Sequence, residues 1–230
     1  MKKKKLVVLA FMAVCMGIVC SCSKDDAEEN QPANRGVTNG HEWVNLGLPS
    51  GTLWATCNVG ASKPEEYGDY YAWGETQTKS DYSWWLYKYS DGSSSSAMTK
   101  YNETDNLKEL LSEDDVATTK WGSSWQIPSR IQCEELINGN YTTIVGKIEN
   151  GISGWKITSK SNGNYIFLPA AGYRSNANLK SVGIMGGYYS RSLDASEYSH
   201  SFSLFLESSD IYTYSERRDF GATIRPVRKK

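Results

Sequence analysis

Histidine is scarce in this chain, with His41 and His200 the only two among 230 residues. There is no CxxC, no HExxH and no clustered histidine, so the sequence offers no zinc or iron ligand set, and no metal or cofactor is assigned to it. An excess of basic charge is missing too. Removing residues 1–21 takes four lysines and no acids from 25 basic and 26 acidic side chains, leaving 21 against 26. Such a mildly acidic body has no footprint for nucleic acid. Long apolar runs are confined to Leu6–Val19, which is shorter than the roughly 20 residues a helix needs to span a bilayer.

What is present begins with that run. Lys2 to Lys5 form a basic n-region, Leu6–Val19 an h-region, and Val19-Cys20-Ser21-Cys22 a cleavage region. The last four residues resemble the lipobox of bacterial lipoproteins, in which Cys22 is lipidated and becomes the mature N-terminus. Residues 1–21 are therefore expected to be a signal peptide, with the membrane held through a lipid on Cys22. The acidic stretch behind it, Asp25-Asp26-Ala27-Glu28-Glu29, resembles export signals that carry lipoproteins of Bacteroidetes-type bacteria to the cell surface. Residues 22–40 read as a flexible acidic tether and 41–230 as one domain, long enough for a proper core. After Cys22 only Cys57 and Cys133 remain, as a disulfide or as two free thiols.

Eight Trp, fifteen Tyr and twenty Gly suggest a loop-rich, β-dominated body. Glu42–Leu46 and Thr52–Val59 read as strands joined by a turn at Leu48-Pro49-Ser50-Gly51. The segment through "SSSSAMTKYN" is irregular, and its serine run is expected to be an exposed loop. A first helix is expected from Glu113, capped by Ser112, with acids at its positive end. A second follows the capping box of Ser129 and Gln132, burying Cys133, Leu136 and Ile137 and stopping at Gly139. Strands are expected at Tyr141–Val145, Gly154–Ser159 and Asn164–Leu168, the last two linked through Asn162-Gly163. Three more are expected at 201–206, 210–215 and 222–228, with a turn at Glu207–Ser209.

The stretches "VNLGLPSGTLWATCNVGA", "EEYGDYYAWGET", "WGSSWQIPSR", "EELING", "NYIFLPAAGYR" and "IRPV" are similar in identity and order to the Fibrobacter succinogenes major paralogous domain family. They cover nearly all of 42–228. The resemblance implies an α+β, C-type-lectin-like fold: twisted antiparallel β-sheets with two short helices and long irregular loops. It implies exported, often lipid-anchored proteins with no established catalytic activity. Some members of this broad group are variable proteins of diversity-generating retroelements, mutated at the C-terminus. Where the family usually has Tyr-Trp-Ser-Ser, this chain has Tyr188-Tyr189-Ser190-Arg191, through diversification or drift.

Three functions can be weighed on the residues. Enzymes of the formylglycine-generating kind need a late cysteine pair, and nothing after Cys133 is cysteine. Ser199 and His200, adjacent on an expected strand, should point to opposite faces and form no relay. Calcium-dependent sugar binding uses Glu-Pro-Asn and Trp-Asn-Asp, and neither occurs. Calcium-independent glycan binding could use Trp84 and Trp85, whereas Trp54, Trp73, Trp121 and Trp125, inside the motifs, are expected in the core. The third function is a protein- or ligand-binding face built from Tyr188, Tyr189, Arg191, Tyr198, His200, Tyr212, Tyr214, Arg217 and Arg218, because Tyr and Arg anchor interfaces amid adaptable serines. In the strand 201–206, Phe202, Leu204 and Leu206 are expected to face the core, and Ser201, Ser203 and Phe205 a partly polar surface.

Overall fold

A computed structural model describes residues 34–93, 97–208 and 210–228. The expected signal peptide, Cys22, residues 94–96 of the serine run and Ser209 lie outside the described residues. No helix among the described residues is long and apolar enough to cross a membrane.

The strands in chain order are β1 (Arg35–Thr38), β2 (His41–Asn45), β3 (Leu53–Ala55), β4 (Trp125–Gln126), β5 (Thr142–Glu149), β6 (Ile152–Ser159) and β7 (Tyr165–Pro169). They continue as β8 (Tyr173–Ser175), β9 (Asn178–Lys180), β10 (Gly186–Leu193), β11 (His200–Leu206), β12 (Ile211–Arg217) and β13 (Val227–Arg228). Two helices, α1 (Val116–Trp121) and α2 (Arg130–Leu136), accompany them, so the fold is α+β with mostly antiparallel sheet.

One sheet has the order β1-β2-β3-β13-β4. Its central β13 is the end of the chain, with Val227 opposite both Trp54 and Gln126. Two three-stranded sheets, β5-β6-β7 and β10-β11-β12, and the pair β8-β9 complete the frame. Aliphatic side chains including Val44, Leu46, Ile157, Leu168, Leu204 and Val227 fill one core, together with Trp54. The other core is largely aromatic, with Trp73, Tyr82, Tyr87, Tyr89, Tyr101, Trp125 and Tyr189.

Several local signals hold. The Ser129 hydroxyl accepts from the Gln132 N–H, and the Gln132 side chain accepts from the Ser129 N–H, completing the capping box. Asn162-Gly163 lies between β6 and β7, with Gly163 at φ 73°. Other expectations are corrected. The first helix starts at Val116, three residues late, because the cap is Asp115, whose carboxylate accepts from the Thr118 N–H at 2.9 Å. The second ends at Leu136, with Ile137 as its C-cap, rather than stopping at Gly139. β1 lies inside the expected tether and pairs with β2 from Arg35 opposite Val44 to Thr38 opposite His41. Of the expected strand 222–228, only Val227–Arg228 is strand.

Between Ala55 and α1 the described chain forms only isolated bridges and one 3-10 turn at Trp84–Leu86. So long a stretch must satisfy its backbone by other means than a ladder. Arg218, fully buried, supplies much of it. Its guanidinium donates to the carbonyls of Lys100 (3.1 Å), Tyr101 (3.1 Å) and Tyr198 (2.8 Å) and to the Tyr87 hydroxyl (2.9 Å). It sits 4.7 Å from the Trp73 ring, with Tyr87, Tyr89 and Tyr101 around it. Arg225 does the same for the start of the stretch, donating to Asn58 Oδ1 (2.7 Å), the Thr56 carbonyl (2.6 Å) and the carbonyls of Ala55 and Pro64.

A buried carboxylate ties the other end. Asp114 accepts from Lys100 at 2.5 Å, Lys88 at 3.1 Å and the Tyr101 hydroxyl at 2.7 Å. Burial pushes its pKa up, but the hydrogen bonds from Lys100, Tyr89, Tyr101 and Lys88 outweigh burial and hold it at about 2.

Two stability predictions follow from these contacts. Arg218→Met leaves three carbonyls unsatisfied and is expected to cost about 3 kcal/mol or more, read from urea unfolding of the purified protein. Arg218→Lys should restore little of it, because an ammonium lacks the planar fork. For Asp114 the folded pKa lies below the unfolded value of about 3.9, so its contribution is full above that value and fades as pH falls toward 2. The urea midpoints of the wild type and Asp114→Asn should therefore converge across that window, and a gap that stays constant with pH would refute the assignment.

Candidate functional site

The sheet β10-β11-β12 carries most of the expected binding residues, and its two faces are built differently. On one face Phe202, Leu204 and Leu206 stand opposite Ser215, Thr213 and Ile211. Helix α2 covers this face: Arg130 lies 3.9 Å over the Phe202 ring and bonds Glu134, which accepts from the Thr213 hydroxyl at 3.1 Å.

The opposite face pairs Ser201, Ser203 and Phe205 with Glu216, Tyr214 and Tyr212. It was expected to be partly polar surface, yet Ser201, Ser203 and Phe205 are all buried. Among the described residues the two serine hydroxyls have no hydrogen-bond partner, so their burial is a cost set by the cover over this face and not by sequence polarity. Only the end toward the β11–β12 turn opens. There Phe205 stacks on Tyr212 at 6.2 Å, and Tyr214 stands edge-on to both, at 5.8 Å and 6.1 Å. Tyr212 is 39% exposed and Tyr214 52%. Among the described residues β12 is also an edge of the sheet with no strand on its outer side. The Arg218 N–H bonds Ser199 and the Glu207 N–H bonds Asp210, a register that turns the N–H and C=O groups of Ile211, Thr213 and Ser215 away from β11.

Three of the expected binding residues are not displayed, and each has a structural task. Tyr188 is buried, its hydroxyl donating to the Pro169 carbonyl at 2.6 Å. Tyr189 is buried, its hydroxyl directed at the carbonyls of Arg217 (2.7 Å) and Phe220 (3.0 Å). Burial pushes both phenols well above their ordinary range. Arg218 is the buried fork described above. The sequence carried no sign of their cover, which comes from segments more than a hundred residues away, such as Trp73, whose indole donates to the Ser190 carbonyl.

Four residues are half-buried and tied. Arg191 bonds Gln126 at 2.6 Å and Glu109 at 3.0 Å. Tyr198 packs against the aromatic core below Lys108. Arg217 meets Asp219 through two bonds, at 3.0 and 2.8 Å, which hold its guanidinium between the rings of Trp84 and Phe220. His200 is the fourth. Its Nδ1 lies 2.8 Å from the Ser199 hydroxyl, against the expectation that the two point apart, because β11 starts at His200 and Ser199 is still in the turn. That hydroxyl donates to Glu197 at 2.5 Å, so in this arrangement the imidazole Nδ1 donates to the serine oxygen rather than accepting its proton. The same hydrogen bond lowers the Glu197 pKa, which makes the carboxylate a weak base in turn.

Elsewhere, Trp54, Trp73, Trp121 and Trp125 are core residues, as the motifs suggested. Trp85 is 70% exposed and Leu86 59%, beside a half-buried Trp84. A cavity of about 410 Å³ is lined by His41, Glu42, Thr56, Cys57, Pro64 and Trp121. His41 stacks flat on Trp121 at 3.7 Å, and burial lowers its pKa. Cys57 and Cys133 are free thiols, the second buried with its pKa pushed up. Among the described residues no three His, Cys, Asp or Glu side chains cluster as metal ligands.

No family model, no curated protein and no solved structure matches the chain.

Proposed function

We propose that this chain is a surface-anchored lipoprotein whose domain, C-type-lectin-like and of the Fibrobacter succinogenes major paralogous domain kind, acts as a non-enzymatic binding or adhesion module. The leader and Cys22 supply the anchor, an outer-membrane lipoprotein facing the cell surface, and the motif run supplies the family. The observation that carries the binding role is the exposed pair Tyr212 and Tyr214, packed on the buried Phe205 ring, on a strand that is unpaired on its outer side among the described residues. Two half-exposed tyrosines fixed by a buried phenylalanine offer large apolar area at little entropic cost on binding. Outward backbone groups at Thr213 and Ser215 suit a protein ligand, since an extended segment can pair with them.

A second reading, a calcium-independent glycan-binding lipoprotein, is favoured by Trp85 and Leu86, whose exposure on a short turn is unusual for such large apolar side chains. An aromatic face there could stack on a sugar ring. The third reading, a divergent enzyme related to the formylglycine-generating fold, has no support in the His200 geometry.

An array of host and microbial surface proteins and polysaccharides distinguishes the first two. Tyr212→Ala with Tyr214→Ala is expected to weaken a protein ligand by about 2 kcal/mol or more, near thirtyfold, while leaving unfolding unchanged. Binding that survives this pair, but is lost on Trp84→Ala with Trp85→Ala and is confined to polysaccharide, would move the function to the second reading. The anchor has its own check: Cys22→Ala should shift the protein from the membrane fraction to the soluble fraction.

A further inference from the structure

The sheet β5-β6-β7 ends in a bare edge, and this edge is self-complementary. β5 and β6 form a hairpin closed by Asn150-Gly151, with Glu149 opposite Ile152 and Thr142 opposite Ser159. The Lys160 N–H bonds the Tyr141 carbonyl, which sets the alternation of the ladder. Thr143, Val145, Lys147 and Glu149 exchange bonds with β6, so the N–H and C=O groups of Ile144, Gly146 and Ile148 point away from it. Among the described residues no strand pairs with that side of β5.

The side chains on this edge are unusually apolar for solvent. Val145 is 61% exposed and Ile148 67%. On the face of Gly146 and Ile148 lies an open cavity of about 390 Å³, also lined by Trp155, Ala170, Ile184 and Ser208. Ile184 on its rim is 71% exposed, and a Cβ added at Gly146 would meet nothing within 4 Å. The edge charge is already neutralised, with Lys147 3.3 Å from its own Glu149.

We infer that β5 is a homodimerisation edge, pairing antiparallel with β5 of a second copy about a two-fold axis at Gly146. In that register Gly146 faces Gly146 of the partner subunit, and Ile144 faces Ile148 of the partner subunit. Every outward N–H and C=O of the three residues then has a partner. Centring the axis on Lys147 would set like charges opposite one another, and centring it on Val145 would leave Ile148 facing Thr142, whose N–H is already bonded to Asn138. Centring it on Gly146 also brings Ile148 of the partner subunit diagonally over the empty space at Gly146 and toward Trp155. On the other face, Val145 is covered by the stem of Lys147 of the partner subunit. The two sheets become one continuous six-stranded antiparallel sheet, and the exposed isoleucines are withdrawn from water. The inference does not depend on the proposed ligand face, which lies on a different sheet.

The register makes a test that random collision cannot imitate. Val145 and Lys147 of the partner subunit form a non-hydrogen-bonded pair, whose Cα atoms lie about 4.5 Å apart, within disulfide reach. In the full-length chain with Cys57→Ser, Val145→Cys and Lys147→Cys are expressed separately and together and oxidised in the membrane. A disulfide-linked dimer is expected only when both are present in the same cell. No dimer in the mixture, or equal amounts from either variant alone, would overturn the pairing. Gly146→Pro removes an N–H that the hairpin does not use, and Ile148→Glu changes only an exposed side chain. Each should reduce the cross-link of the mixture to the level of a single variant, and an undiminished cross-link in both would refute the register.

Discussion

The guanidinium of Arg218 is the contact on which the rest of the domain rests. Among the described residues no carboxylate hydrogen-bonds this buried cation, which is expensive, and only a full set of other acceptors makes it tolerable. Here the acceptors are three carbonyls and a tyrosine hydroxyl, with four aromatic rings around the charge. The carbonyls belong to Lys100, Tyr101 and Tyr198, so one side chain joins the irregular stretch, the β10–β11 connection and the chain's last segment. Arg225, seven residues on, binds the carbonyls of Ala55 and Thr56 in the same way. The closing segment thus serves as a spine to which a long loop without its own ladder is fastened.

That spine dictates what the surface can show. Trp73 bonds both ways, its N–H to the Arg218 carbonyl and its indole to the Ser190 carbonyl, and so lies over β10 and carries Tyr189 into the core. The Tyr/Ser/Arg-rich stretch from 188 to 219 is consequently mostly scaffold. Exchange at Tyr188, Tyr189, Ser201, Ser203 or Arg218 would disturb packing, while at Tyr212 and Tyr214 it disturbs only the ring contacts with Phe205. A segment diversified for binding would have to concentrate its changes on β12 and its turn, a far narrower strip than the composition suggests.

How much of this was legible in the sequence depended on the range of the interaction. The Ser129–Gln132 capping box and the Asn162-Gly163 turn are settled within four residues, and both stand as the sequence reads. The start of α1 did not, because Asp114 is recruited by Lys88, Lys100 and Tyr101, and Asp115 is left to cap. β1 was unreadable as strand because its partner β2, and not its own alternation, fixes it. In β11 the period of two correctly separated Phe202, Leu204 and Leu206 from Ser201, Ser203 and Phe205. Alternation cannot say whether a face is covered, and here both are. Tyrosine and arginine misled for the same reason: a phenol or guanidinium reads as surface until distant carbonyls are found for it.

The two free sheet edges show how the same backbone feature takes different chemistry from its side chains. At β12 the outward groups lie between tyrosines on one face and Thr213, held by Glu134, on the other, so a guest strand would meet aromatic rings and polar groups but no copy of itself that fits. Pairing β12 with itself about Thr213 would bring Glu216 opposite Asp210, two carboxylates at each end of the ladder. At β5 the outward residues are isoleucine and glycine, arranged symmetrically about Gly146, and the nearest charges cancel within one chain. Like-charge repulsion therefore disfavours this self-pairing of the aromatic edge, whereas symmetry and apolar exposure favour the proposed self-pairing of the aliphatic one.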